Sequence, residues 1–159
     1  MLHPAAAHFA ISLPIISLVL GLLYLFKPSE MMSKISTRFL VFAAIFVVVA
    51  YFTGKNDAKE VFEFLSSDAK GVLVEHAKLG QYLAITMVAV ALIKMFGCFK
   101  KMFKIELFAV ILLAVLSAGI LSQGKMGGEL TFKYGAHVEK FADGQACLLE
   151  ASEMDDEDE

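Results

Sequence analysis

Four apolar blocks, each long enough to cross a bilayer as a helix, constrain the fold of this chain more than any other feature. They lie near residues 5–26, 37–54, 72–97 and 104–123. A helix needs about 20 apolar residues to cross about 30 Å of hydrocarbon, and 58% of the 159 residues are hydrophobic. The sequence therefore predicts an all-α membrane protein, folded as a bundle of four transmembrane helices.

The C-terminal end of the chain differs in composition from these blocks. Its last five residues are all acidic, so we interpret residues 143–159 as an acidic, disordered tail and residues 1–142 as one four-span membrane domain. We expect the lipid bilayer to surround that domain. Basic patches interleaved with aromatic residues are absent from the sequence, which argues against a nucleic acid partner.

The distribution of basic residues predicts the orientation of the spans. The connections over residues 27–38 and 94–104 are rich in lysine and arginine, whereas the connection over residues 55–71 mixes lysines with acidic residues. Basic residues in short loops favour the cytoplasmic side. We therefore expect the two basic connections to be cytoplasmic and both termini to lie outside.

Two segments outside the spans have patterns of their own. Residues 58–65 place apolar side chains at helical spacing, which predicts a short helix along the outer interface, either on the lipid surface or packed as a lid over the bundle. The segment "GGELTFKYGAHVE" at residues 127–139 alternates apolar and polar residues, which predicts an extended strand. Folded back over the outer mouth of the bundle, the strand would cover a cofactor edge or shield apolar helix ends.

All four histidines fall on the predicted outer side of the membrane. His3 and His8 open the first span, His76 lies near the start of the third, and His137 follows the fourth. Histidine is costly in hydrocarbon, so an intramembrane imidazole points by default to a function. His8 and His76 also lie at comparable depth, on spans that run in the same direction and can face each other across a bundle.

Two facing imidazoles are the ligands that a b-type haem requires. The sequence therefore predicts haem b between spans one and three, with His8 and His76 as the ligands of its iron. Ser12 and Gly80 lie one turn further along the same two faces and would leave room for the porphyrin. The five-residue offset predicts that His3 turns away from this site and ends its helix in the headgroup layer. The alternative is that these histidines only hydrogen-bond to neighbouring groups.

Three stretches resemble the signature segments of domain-of-unknown-function family 2231, a family of small four-span bacterial membrane proteins. They are "LHPAAAHFAISL", "EHAKLGQYL" and "GGELTFKYGAHV". The resemblance implies a location in the bacterial inner membrane. Through the family's distant similarity to membrane cytochromes, it also favours a haem held between helices. The chain departs from the family pattern after Tyr134-Gly135, where Ala136-His137-Val138 replaces the usual small residues, so the resemblance does not support a ligand role for His137.

Two functions remain open on this evidence. One is a haem protein that passes electrons between a quinol or a partner reductase and an acceptor on the outer side. The other is a cofactor-free membrane scaffold or regulatory subunit of a larger complex. Catalytic triads and phosphate loops are absent from the sequence, so no catalytic residue is assigned and an electron-transfer or accessory role is favoured over a stand-alone enzyme. Homo- and hetero-oligomers are both compatible with the sequence.

Charged residues near the inner face receive simple structural interpretations. Lys94 is expected to extend its ammonium to the cytoplasmic interface, as long basic side chains do at helix ends. Glu106 lies in the first turn of span four, where the helix dipole and nearby lysines favour a carboxylate. With no ionisable group expected at mid-depth, the sequence argues against a pump or a proton-coupled transporter.

Overall fold

Four long helices make up nearly all of residues 2–136, the part of the chain that the computed structural model describes. In chain order they are α1 (His3–Phe26), α2 (Glu30–Val61), α3 (Ser67–Lys100) and α4 (Phe103–Phe132). Each contains a stretch long and apolar enough to cross a membrane. The predicted bundle of four membrane-spanning helices is confirmed.

Local signals set the helix ends. Pro4 lies in the first turn of α1, where its missing N–H leaves no bond unmade. The hydroxyl of Ser29 caps α2 by accepting the backbone N–H of Met32 at 3.2 Å, and Ser66 caps α3 in the same way. Lys101 ends α3 in the left-handed conformation, with a φ of 54°. The resulting connections are short, so consecutive helices run antiparallel.

The helices form a closed ring in chain order. α1 packs against α2 and α4, and α3 packs against the same two helices, so α1 and α3 lie diagonally across the bundle. The central core contains small and aliphatic side chains from all four helices, among them Ala10, Leu40, Met87, Ala109 and Leu113. Large apolar side chains on the outer faces remain exposed for contact with lipid, for example Val19, Ile45, Leu92, Ile111 and Val115.

At the end of the bundle where α1 begins, the other three helices extend further than α1. The His3 imidazole lies beside the carbonyl of Ala50, so the rest of α2 extends past the first residue of α1. There α2, α3 and α4 enclose a second small core that contains Leu65, Ala69, Leu73, Leu130 and Ala136. We call this end of the bundle the histidine end. The opposite end, with the α1–α2 and α3–α4 connections, is the ion-pair end.

The two segments predicted outside the spans differ from expectation. No separate interfacial helix exists over residues 58–65, because α2 continues to Val61 and passes directly into a 3-10 turn at Phe62–Phe64. The strand prediction is wrong for Gly127–Phe132, which forms the last turns of α4. Leu130 packs into the second core, and this tertiary contact outweighs a weak alternation over a few residues. Residues 137–139 of the predicted strand lie outside the described part.

Candidate functional site

Two histidines from diagonal helices meet at the histidine end. His3 opens α1 and His76 lies on α3, and their ring centroids are 6.4 Å apart with the ring planes nearly perpendicular, at 86°. Both side chains are partly buried. Two imidazoles at this separation can interact with one shared group between them.

The His3 ring is held from the side by α2. Its Nδ1 lies 2.9 Å from the carbonyl oxygen of Ala50, and the hydroxyl of Thr53 lies 3.5 Å from the same nitrogen. A carbonyl can only accept, so Nδ1 is the donor in this contact. The absence of a side chain at Gly54 leaves room for the His3 ring, because a Cβ there would lie only 2.7 Å from the imidazole.

His76 lies in a polar but incompletely paired environment. Its Nδ1 is buried without a hydrogen-bond partner among the described residues, and so is Oε1 of the neighbouring Gln123. The Gln123 amide meanwhile donates to the His76 carbonyl at 2.9 Å. A Cβ at Gly127 would lie 3.3 Å from His76 Cε1, so glycine again leaves space beside an imidazole. Buried polar atoms normally have partners, so this cluster is a candidate ligand site.

The structure brings His3, rather than His8, to His76. His8 is exposed, and its Nδ1 lies 2.6 Å from the Pro4 carbonyl of its own helix. The sequence correctly implied that only one of the two can face inward, because five residues rotate a helix by about 140°. The expectation that His3 turns away from the site is wrong. A sequence signal for the inward face exists, since His3 continues the 3–4 spacing of the buried residues Ala6, Ala10, Leu13, Ser17, Gly21 and Tyr24.

The other predicted site residues are distributed differently. Ser12 is exposed and donates to the His8 carbonyl at 2.8 Å, so it does not face the bundle interior. Gly80 faces α4, where a Cβ would lie 3.0 Å from the Gln123 amide nitrogen. His137 lies outside the described residues. Across residues 2–136, no three His, Cys, Asp or Glu side chains are close enough to share a metal ion.

A second polar cluster lies at the ion-pair end, with one side chain from each helix. The ammonium of Lys94 contacts Glu106, and both side chains are almost fully buried. The Glu106 carboxylate also accepts from the Tyr24 hydroxyl at 2.8 Å and from the Ser33 hydroxyl at 2.7 Å. Lys94 Nζ lies 4.6 Å from the centre of the Tyr24 ring. The expectation that Lys94 extends to the interface is wrong, because this carboxylate holds it inside the bundle.

A family model described as "Predicted membrane protein (DUF2231)" covers residues 1–140. No curated protein and no solved structure matches the chain.

Proposed function

The chain belongs to the DUF2231 family of predicted membrane proteins, and we propose that it binds one b-type haem at the histidine end and transfers electrons there. His3 and His76 would hold its iron. The electron donor is a quinol or a partner reductase. The proposal differs from the ligand pair expected from sequence, His8 and His76, because it takes His3 in place of His8.

The observation that carries the proposal is the separation of the two rings. Imidazole nitrogens bind transition metal ions at about 2 Å, so two axial imidazoles on one ion place their ring centres roughly 6 Å apart. The ring centroids of His3 and His76 are 6.4 Å apart. Two helices on one diagonal of a bundle are also the arrangement that holds a cofactor in the bundle interior.

The hydrogen bonds of the two rings agree with ligation. Histidines that bind metal ions commonly donate their second ring N–H to a carbonyl or carboxylate, which fixes the tautomer and the ring orientation. The Nδ1 of His3 has this partner in the Ala50 carbonyl, 2.9 Å away. His76 contributes a buried ring nitrogen without a hydrogen-bond partner.

The chain's own groups would bind and orient the haem rather than react. Bound haem supplies one-electron oxidation and reduction. His3 and His76 would hold the iron, and Ala50 would fix the His3 ring. Gly54 and Gly127 leave space beside the imidazoles, where a side chain would crowd them.

The test is the reduced-minus-oxidised absorption spectrum of protein purified from haem-replete cells. The wild type is expected to show the paired bands of low-spin, six-coordinate haem. His3→Ala and His76→Ala should each lose the low-spin spectrum, because two axial nitrogens are required. His8→Ala is the matched control on the same helix and should keep it.

Two outcomes would contradict the proposal. A wild-type protein that remains colourless after haem reconstitution would favour the cofactor-free scaffold. Loss of the low-spin spectrum in His8→Ala, with His3→Ala unchanged, would restore the ligand pair expected from sequence. Circular dichroism of each variant separates loss of haem from loss of the helical fold.

A further inference from the structure

A groove runs along the outer face of the bundle between α2 and α3, starting at the ion-pair end. It encloses about 420 Å³. Lys34 and Arg38 lie at one end of the groove, and Phe42, Ile45 and Met95 line its apolar length. The groove lies outside the two polar clusters described above, so neither cluster accounts for it.

The basic end of the groove contains a guanidinium without a partner. Arg38 is exposed and forms no hydrogen bond or ion pair with any residue in the described part of the chain. Lys34 pairs with Glu30 at 2.7 Å, but both side chains are more than half exposed, so that pair contributes little. The Arg38 guanidinium is therefore available to an anion at this end of the groove.

The charge of the ion-pair end indicates which charge a ligand of the groove would carry. Its basic side chains outside the buried pair are Lys27, Lys34, Arg38, Lys100, Lys101 and Lys104. Glu30 is the acidic residue there that remains exposed, since Glu106 is buried against Lys94. The surface therefore attracts anions at the level where the helices leave the apolar layer.

The length of the groove fits one leaflet of a bilayer. Lys34 and Ile45 are eleven residues apart on α2, which corresponds to about 16 Å along the helix axis. Half of a bilayer's hydrocarbon thickness is about 15 Å. A ligand that places its charge at Lys34 and Arg38 would therefore extend an apolar chain to the bilayer centre near Ile45.

We propose that this groove binds an anionic phospholipid. The phosphate accepts hydrogen bonds from Arg38, whose planar guanidinium matches two phosphate oxygens at once. Lys34 adds a second positive charge, and one acyl chain lies on Phe42, Ile45 and Met95. The site does not depend on haem binding, because it lies at the opposite end of the bundle.

The experiment is native mass spectrometry of the full chain in detergent, titrated with phosphatidylglycerol or with phosphatidylcholine of identical acyl chains. The wild type is expected to bind phosphatidylglycerol at least about tenfold more tightly, because phosphatidylcholine carries the same phosphate with a cationic choline that Lys34 and Arg38 repel. Arg38→Gln should remove most of that preference. Lys104→Gln removes one positive charge from α4, outside the groove, and should retain it. Ile45→Trp should weaken binding of both lipids by filling the apolar part of the groove.

Three results would overturn the site. Equal affinity for the two lipids would mean that the groove holds a neutral lipid. An equal loss in Lys104→Gln and Arg38→Gln would assign the preference to the diffuse charge of the whole end. Inorganic phosphate that displaces the lipid at comparable concentration would mean that the acyl chain contributes nothing. Arg38→Lys separates charge from geometry, since it should keep only part of the preference.

Discussion

Lys94 and Glu106 illustrate how a single buried residue depends on its partners. Both side chains are about 1% exposed, and removing an ion from water costs several kcal/mol. Here the cost is offset because the carboxylate accepts from Lys94, Tyr24 and Ser33, which come from three other helices. The pair therefore fixes the relative positions of all four helices at the ion-pair end.

Replacing one member of this pair should destabilise the bundle strongly. We expect Glu106→Leu, which leaves the Lys94 ammonium buried and unpaired, to lower the free energy of unfolding by about 3–5 kcal/mol. The double variant Lys94→Met/Glu106→Leu should recover much of the loss. Lys34→Met breaks the exposed pair with Glu30 and is the control, with an expected change below about 1 kcal/mol. Unfolding in mixed detergent measures all three, and a double variant as unstable as the single one would contradict this account.

At the level of elements, the end of α4 shows how tertiary contact decides secondary structure. The sequence over residues 127–132 fits both an alternating strand and a continued helix. In the helix, Leu130 packs into the second core at 5% exposure, while Phe132 is 87% exposed. A strand would place these two side chains on the same face. Their different burial therefore distinguishes the two structures.

Alanine substitution at these two positions tests the helix directly. Leu130→Ala should lower the free energy of unfolding by about 2–3 kcal/mol, because it removes buried apolar atoms. Phe132→Ala, a larger truncation on the exposed side, should change it by less than about 0.5 kcal/mol. Thermal unfolding followed by circular dichroism is a suitable measurement. Similar losses at both positions would instead favour the strand.

For the whole molecule, the antiparallel ring places the α2–α3 connection and the α3–α4 connection at opposite ends. The first lies beside the histidine end, and the second belongs to the strongly basic ion-pair end. Because basic connections favour the cytoplasmic side, we expect the histidine end to face outward. Proposed electron transfer would then take place at the outer surface.

Cysteine labelling in intact cells tests this orientation. In a background without the native cysteines, Glu63→Cys at the histidine end should react with an impermeant thiol reagent. Lys100→Cys at the ion-pair end should react only after the cells are permeabilised. Both positions are exposed, so access to the reagent depends on the membrane rather than on packing. The reverse pattern would place the histidine end inside.

The sequence by itself determined the number of spans, their approximate positions and the all-helical class. Hydrophobic length is a property of the chain alone, and a helix is the structure that satisfies its own backbone in lipid. It also indicated that the first and third helices bring histidines to one end. Helix ends were less predictable, because α2, α3 and α4 continue past their apolar stretches and are stabilised there by packing in the second core.

Only the tertiary structure decided which side chains face inward. His3 and His8 are on different sides of α1, and although His3 continues the spacing of the inward residues, only the packing of α1 against α2 and α4 places it beside Ala50 and His76. Likewise, Lys94 and Glu106 resemble ordinary interfacial charges until α3 and α4 are packed together with α1 and α2. Pairing across helices depends on the rotation of each helix about its own axis, and that rotation is set by how all four buried faces fit together at once.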